Sequence, residues 1–148
     1  MMTTQVLFQN RQPNRIATLE EYRASGGYEA LAMAIGKYSR SEVRQLALDA
    51  VLLGRGGAGF PAGRKWMTVA ETAPFPRYMV CNADEMEPGT FKDRVLIHAD
   101  PHQIIEGMII VGYSVLAEKG IIFIRSSYEN AARILEREIA RARAERQG

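Results

Sequence analysis

The segment RYMVCNADEMEPG, residues 77–89, sets a short apolar run directly before a loop dense in carboxylates. The run RYMVCNA (77–83) has the β-type residues that are typical of a buried strand, and IIFIR (121–125) repeats that pattern later in the chain. A helical pattern follows each run, and this order predicts parallel strands joined by a right-handed crossover. We therefore expect an α/β fold with a Rossmann-like partial parallel sheet and helices.

Helical patterns fill most of the remaining chain. Thr18 and Glu21 form a capping-box signal, and Ser41 is the predicted cap of another helix. Asp100 and Pro101 open a long apolar helix that we expect to run to about residue 119 in the interior. The predicted helices cover approximately residues 18–25, 28–37, 41–53, 61–70, 100–119 and 128–147. The sequence thus predicts a helical N-terminal lead-in over residues 1–53, followed by a domain over residues 54–148.

Composition limits the class of protein. The 148 residues are 47% hydrophobic and 24% charged, with a formal net charge of +2, which is ordinary for a globular protein and gives no sign of nucleic-acid binding. Cys81 is the single cysteine, so no intramolecular disulfide and no four-thiolate cluster can form. We interpret it as a small core residue. With no signal-peptide pattern and no membrane-spanning run, we expect a cytoplasmic protein without direct membrane insertion.

A loop dominated by glycine, GRGGAGFPAG (54–63), is the first candidate site. Its first six residues match G-x-G-x-x-G, but the preceding segment looks helical rather than extended, and no P-loop lysine follows. The glycines allow positive φ and close backbone approach, and their N–H groups beside a helix start near Pro61 suit an anion. Arg55, Arg64 and Lys65 add charge suited to phosphate. The alternative is a tight structural turn between two helices.

Two aromatic residues accompany this loop, Phe60 and Trp66. Either ring could stack on an adenine or an isoalloxazine, or could pack in the core. We favour core packing for Trp66 and leave both possibilities open for Phe60.

The acidic loop after the first strand is the second candidate site. Ligands of parallel sheets bind outside the carboxyl ends of the strands, which is where this loop lies. Its carboxylates could accept hydrogen bonds from the hydroxyls of a ribose or ribityl chain, and Asn82 offers both a donor and an acceptor. Together the two loops describe a nucleotide cofactor. The alternative is a solvated loop whose four acids, Asp84, Glu85, Glu87 and Asp93, pair with Lys92 and Arg94.

Two histidines and one further carboxylate do not suggest a metal site. His98 and His102 are separated by the predicted helix start and share no face, so we predict no metal. We expect His102 in the first turn of its helix, and Glu106 either on the helix surface or as a capping carboxylate at a helix end.

In order and spacing, four blocks resemble the FMN- and NADH-binding flavoprotein subunit of respiratory complex I. The flavoprotein subunits of NAD-linked hydrogenases and formate dehydrogenases are close relatives of that family. The blocks are GRGGAGFPAGRKW (54–66), YMVCNADEMEPGTFKDR (78–94), DPHQIIEGMIIVGYSV (100–115) and GIIFIRSSYENAARILEREI (120–139).

The resemblance implies an oxidoreductase that transfers hydride from NADH to FMN and passes electrons to iron–sulfur clusters and quinone. It assigns the catalytic, nicotinamide-positioning role to Glu87. It places NADH and FMN against the loop residues Gly54, Arg55, Gly56, Gly57, Ala58, Gly59 and Phe60, phosphate at Lys65, and flavin at Asn82, Asp84 and Glu85. Leu53 and Thr68 depart from the basic and aromatic residues that are frequent at those positions of the family.

The resemblance also implies a longer protein. The family continues past residue 148 with further flavin-contacting loops and a cysteine-rich 4Fe–4S domain, so residues 54–148 are expected to form only the first part of the FMN- and NADH-binding domain. We expect weak flavin retention, partner subunits that cover exposed strand edges, and a location that is cytoplasmic or peripheral to the membrane through those partners. The alternative function is a non-catalytic assembly module of a dehydrogenase complex.

Overall fold

The computed structural model describes residues 6–12 and 14–145. Within these residues, seven helices and two strands follow one another along the chain. They are α1 (Leu19–Ala24), α2 (Glu29–Lys37), α3 (Arg40–Asp49), α4 (Ala62–Met67), β1 (Tyr78–Ala83), α5 (Lys92–Ala99), α6 (Pro101–Val115), β2 (Lys119–Ile124) and α7 (Glu129–Glu145).

The two strands pair in a small parallel sheet, β1 beside β2, which confirms the α/β fold with a partial parallel sheet. The expectation that both strands are buried is wrong. Side chains alternate between opposite faces of a strand, and here one of the two sets is exposed in each strand. Tyr78 and Val80 of β1 are 57% and 58% exposed, and Phe123 of β2 is 57% exposed.

The caps of α1 and α3 follow the sequence signals with one correction. Thr18 caps α1 in a capping box with Glu21, as predicted. The cap of α3 is Ser39 rather than Ser41: the Ser39 hydroxyl accepts from the Glu42 amide at 3.3 Å, and the Glu42 carboxylate accepts from the Ser39 amide at 2.7 Å. Ser39 has a glutamate three residues later and completes a reciprocal capping box, whereas Ser41 is followed at that spacing by Arg44.

The segment between the strands holds two helices rather than one. Helix α5 was not predicted from the sequence patterns. It ends at Ala99, and Asp100 is its C-cap, whose amide donates to the Leu96 carbonyl at 2.9 Å. The Asp100 carboxylate then accepts from the Gln103 amide at 3.4 Å and caps α6, as predicted. Helix α6 ends earlier than expected because Leu116 adopts a φ of 57°, a left-handed conformation that stops the helical ladder.

The chain divides into two compact units. Of the described residues, unit 1 comprises 6–12, 14–29, 81–107 and 122–145, and unit 2 comprises 30–80 and 108–121. The apolar core of unit 1 is built mainly by β1, α5 and α7, through Ala83, Ile97, Ala131, Ile134 and Leu135. The predicted boundary between residues 53 and 54 concerns the family's domain and stays a prediction.

A buried polar cluster lies beside the core of unit 1. Glu106, expected on the helix surface or as a capping carboxylate, is not on the surface: it is only 6% exposed. Its carboxylate accepts from the Tyr22 hydroxyl and, at 2.9 Å, from the Tyr28 backbone amide. Burial, with the nearby Glu106 carboxylate, raises the pKa of Tyr28 to about 12. His102 lies in the first turn of α6, as predicted, and its ring nitrogens contact the Tyr28 hydroxyl at 2.9 Å and the Glu138 carboxylate at 3.1 Å.

Two buried arginines organise unit 2. Arg44 donates to the Ser114 carbonyl at 3.3 Å and to the Glu71 carboxylate at 2.6 Å. Arg77 donates to the Val115 carbonyl at 3.2 Å and to the Glu71 carbonyl at 2.7 Å. Both guanidinium groups thereby satisfy carbonyls at the C-terminal end of α6 and fix the segment that leads into β1.

In the part of the chain that the structure describes, no helix combines the length and the apolar character needed to cross a bilayer. Over the same residues, no group of three or more His, Cys, Asp or Glu side chains is arranged to hold a metal ion.

Candidate functional site

Residues 54–60 form the glycine loop, which belongs to unit 2. Its ends are held together by an antiparallel bridge between Leu53 and Pro61. The Gly54 amide donates to the Phe60 carbonyl at 2.9 Å, and the Ala62 amide donates to the Leu52 carbonyl at 2.8 Å. The two ends of the glycine loop are therefore fixed to each other by backbone hydrogen bonds.

The body of the glycine loop is open. All of residues 51–60 are exposed, and Gly57 and Gly59 adopt φ values of 110° and 62°, which confirms that this turn uses conformations favourable to glycine. A Cβ atom at Gly56, Gly57 or Gly59 would meet nothing within 4 Å. Among residues 6–12 and 14–145, no group accepts a hydrogen bond from the amides of residues 55–59. These amides are free to donate to a ligand.

The short helix α4 follows the loop and packs closely on α3. A Cβ atom at Gly63 would lie 2.3 Å from the Leu48 amide nitrogen, so only glycine permits this backbone approach. Pro61 is the N-cap of α4 rather than its first helical residue. Arg64 and Lys65 are exposed on α4, and Arg55 is exposed in the loop.

A cleft of about 380 Å³ lies beside the glycine loop. It is lined by Leu48, Phe60, Arg64, Met67 and Thr68. Phe60 is 49% exposed and forms part of the cleft wall, which decides the open question against core packing. Trp66 is half-buried.

Residues 82–90 form the acidic loop, which begins with the last two residues of β1 and belongs to unit 1. Side chains and tight turns fix its path. The Asn82 side-chain oxygen accepts from the Asp84 amide at 3.0 Å, and the Glu87 carbonyl accepts from the Thr90 amide at 3.1 Å and from the Thr90 hydroxyl at 2.6 Å. Gly89 adopts a φ of 81°, which a side chain would strain.

Glu85 anchors the acidic loop to α5. Its side chain is fully buried, and its carboxylate accepts from the Asp93 amide at 3.0 Å and the Arg94 amide at 3.4 Å. The Lys92 ammonium lies 3.8 Å from the same carboxylate. A carboxylate in this position satisfies the unpaired amides of a helix N-terminus and complements its dipole. The Glu85 side chain is therefore committed to the helix cap.

The other acids of the region divide into two kinds. Asp93 pairs with Lys92 at 2.9 Å, whereas Arg94 lies over the Tyr128 ring at 5.3 Å and pairs with no acid of the described chain. Asp84 is half-buried and Glu87 is exposed, and neither carboxylate forms a hydrogen bond or ion pair with residues 6–12 or 14–145. The pairing with Lys92 that the solvated-loop alternative expects is found for Asp93 and Glu85, although Glu85 is buried rather than solvated. Asp84 and Glu87 stay available to a ligand.

Arg125 also belongs to this region, although no sequence pattern indicated it. It follows β2 directly, and its guanidinium donates to the Glu85 carbonyl at 3.0 Å. The rule that functional groups gather at the carboxyl ends of parallel strands would have drawn attention to it. Arg125 holds the acidic loop from the second strand of the sheet.

A family of known proteins matches the part of the chain that contains both loops. The sequence profile described as the Nuo51 FMN-binding domain matches residues 48–147, a span that includes both loops.

The chain is 49% identical over 124 residues to the F 2 subunit of the NADH-quinone oxidoreductase of Rhizobium meliloti (strain 1021), covering 84% of this chain and 30% of that protein. It is 43% identical over 141 residues to the F subunit of the NADH-quinone oxidoreductase of Aquifex aeolicus (strain VF5), covering 95% of this chain and 33% of the relative. The chain thus spans about a third of the length of these curated relatives.

Among solved structures, the air-oxidised NAD⁺-reducing [NiFe]-hydrogenase contains a similar chain. The TM-score is 0.74 at 38% identity, with 92% of this chain and 24% of the hydrogenase chain covered.

Proposed function

The chain belongs to the family of Nuo51 FMN-binding domains, and we propose that it forms the first part of the FMN- and NADH-binding domain of an NADH dehydrogenase flavoprotein. One observation carries this proposal. Two loops present complementary unsatisfied groups: backbone amide donors in the glycine loop, and carboxylate acceptors together with the side-chain NH2 group of Asn82 in the acidic loop. A nucleotide cofactor needs both kinds, because its phosphates accept hydrogen bonds and its sugar hydroxyls donate them.

The glycine loop binds phosphate in this proposal. The free amides of residues 55–59 favour an anionic ligand, because the N–H groups of a tight glycine turn carry partial positive charge. The room at Gly56 and Gly57 lets a phosphate approach the backbone directly. Arg55 and Lys65 are exposed and supply the opposite charge. Phe60 provides a ring face for stacking beside the loop.

The acidic loop binds the uncharged parts of the cofactors. Asp84 and the free amide donors of Asn82 contact the flavin and its ribityl hydroxyls, while Glu87 positions the nicotinamide. Glu85 and Arg125 hold the loop in shape through the α5 cap and the hydrogen bond to the Glu85 carbonyl. The separation of free and committed carboxylates supports these different roles.

The residues present fit FMN and NADH but not an iron–sulfur cluster. Open amides, free carboxylates and an exposed ring match phosphate, hydroxyl and aromatic groups in turn. When bound, the flavin supplies a two-electron acceptor for hydride that can release electrons singly, and the protein supplies orientation and electrostatics. The family's 4Fe–4S cluster needs cysteine ligands, and this chain has one cysteine.

Partner subunits complete the proposal. The curated relatives are named as subunits of NADH-quinone oxidoreductases. The exposed apolar side chains Tyr78, Val80 and Phe123 on β1 and β2 support coverage by further polypeptide. We place the protein in the cytoplasm or at the membrane periphery through such partners. These exposed residues also favour the second candidate function, a non-catalytic assembly module.

Oxidation of NADH by ferricyanide in the presence of added FMN tests the proposal. We expect the full chain to show activity that falls about tenfold or more in Glu87→Gln, because the substitution removes a charge-assisted hydrogen bond to the nicotinamide end. Glu129→Gln is the matched control, since Glu129 is 75% exposed on α7, and its activity should equal that of the unmodified chain. Partner binding without NADH oxidation would instead favour the assembly module.

A further inference from the structure

The cleft beside the glycine loop has a composition that suits an adenine ring. Leu48 and Met67 give it apolar walls, and the half-exposed Phe60 ring offers a stacking face. The Thr68 hydroxyl donates to the Lys65 carbonyl at 2.7 Å, so its hydrogen is already used. All the residues of this cleft belong to unit 2.

Arg64 does not fit a cleft that accepts only a neutral nucleoside. It lines the cleft, it is exposed, and no residue of the described chain pairs with its guanidinium. The pyrophosphate of a dinucleotide already has donors in the loop amides, with Arg55 and Lys65 as further cations. The charge of Arg64 is therefore available to a separate anionic group at the nucleoside end of the ligand.

We propose that Arg64 makes this cleft a site for an adenine nucleotide that carries a phosphate on its ribose, so that the chain binds NADPH at least as well as NADH. The inference rests on the proposed nucleotide-binding function and adds the choice of dinucleotide to it. An arginine beside the adenosine ribose is the group that accommodates a 2′-phosphate in dinucleotide sites, through paired N–H donors that match phosphate oxygens.

Titration calorimetry of the full chain with two probes tests the inference. The probes are adenosine 5′-monophosphate and adenosine 2′,5′-bisphosphate. We expect the bisphosphate to bind about tenfold or more tightly, because charge-assisted contacts to a second phosphate add to the affinity. Arg64→Leu should equalise the two affinities, and Arg64→Lys should keep part of the difference.

Arg133→Leu is the matched control, because it removes one positive charge from a side chain that is 74% exposed on α7. It should preserve the full preference for the bisphosphate, whereas a general charge effect would reduce the preference equally in both leucine variants and overturn the role of Arg64. Equal binding of the two probes by the unmodified chain would also overturn the inference, yet leave adenine-nucleotide binding intact. Failure of both probes to bind would overturn the inference and count against the proposed function as well.

Discussion

The glycine loop and the acidic loop differ in which of their groups are free to bind a ligand. In the glycine loop, the ends are bridged and the body makes no internal hydrogen bonds among the described residues, so the backbone itself is the binding group. In the acidic loop, Asn82, Glu85 and Thr90 all make internal contacts, and only the carboxylates of Asp84 and Glu87 are left over.

The two loops should therefore respond differently to substitution. The acidic loop depends on side chains inside it, so substitutions there should change folding and binding together. The glycine loop depends on the absence of side chains, and its anchor lies outside it, at Gly63, where α4 meets α3. Substitutions within it should affect binding more than stability, except at Gly57 and Gly59, where a positive φ strains any other residue.

Glu85→Ala should have the largest effect on stability. It removes a fully buried carboxylate that accepts from two amides of α5, and leaves those amides uncapped. We expect the free energy of unfolding to fall by about 1–3 kcal/mol in urea denaturation. Glu87→Ala is the control, because its exposed carboxylate makes no internal hydrogen bond or ion pair with the described residues, and its effect should stay within about 0.5 kcal/mol. Equal losses in the two variants would contradict the division between committed and free acids.

Gly63→Ala should have the next largest effect. The added methyl group would lie 2.3 Å from the Leu48 nitrogen, and backbone cannot yield as a flexible side chain does. We expect a loss of about 1–3 kcal/mol in the free energy of unfolding. Gly36→Ala in α2 meets nothing within 4 Å and should instead stabilise the chain by about 0.5–1 kcal/mol. A stabilised Gly63→Ala protein would show that α4 does not need the close approach.

Substitutions at two neighbouring residues of the glycine loop, Gly56 and Gly57, distinguish effects on binding from effects on stability. Gly57 has a φ of 110°, so Gly57→Ala should lower the free energy of unfolding by about 1 kcal/mol or more. Gly56 has no such φ and open space around it, so Gly56→Ala should leave stability within about 0.5 kcal/mol. Both variants should weaken NADH binding, measured by fluorescence titration, because the new methyl group stands where phosphate approaches. Unchanged binding by both would remove the loop from the site.

The smallest expected effect concerns the rate at which the Cys81 thiol is labelled. Cys81 lies directly before the acidic loop. Burial, with the nearby Asp93 carboxylate, raises the pKa of its thiol, so the reactive thiolate is scarce at neutral pH. Labelling by a disulfide reagent should therefore be slower than for free cysteine at neutral pH, and faster as the pH rises through the raised pKa. Glu85→Ala should accelerate labelling, because it removes the α5 cap that holds the acidic loop next to Cys81 in place. A rate equal to that of free cysteine would contradict the burial.

Local signals predicted most of the elements, and long-range contacts explain the errors. The Thr18 capping box and the α/β order are local patterns and were confirmed, whereas α5 was missed because its N-terminal cap comes from Glu85, seven residues before the helix begins. The burial of Glu106 was not predicted because its partners, Tyr22 and Tyr28, lie far away in the sequence. The openness of β1 and β2 depends on which elements cover the sheet, which strand composition does not record.

The candidate site shows the same limit. Composition indicated which residues are chemically able to bind, but only the contacts separate Glu85, which is committed to a helix cap, from Asp84 and Glu87, which are free. Arg125 escaped notice because a single arginine after a strand carries no motif. The convergence of both loops on one cofactor stays a prediction.

Hydrogen exchange of the full chain with saturating FMN tests that convergence most directly, with riboflavin as the probe that lacks phosphate. We expect FMN to slow amide exchange in residues 54–60 and in residues 82–90 together, and riboflavin to slow exchange chiefly in residues 82–90. Protection by FMN of one loop alone, or equal protection of residues 54–60 by riboflavin, would contradict the assignment of phosphate to the glycine loop and hydroxyls to the acidic loop.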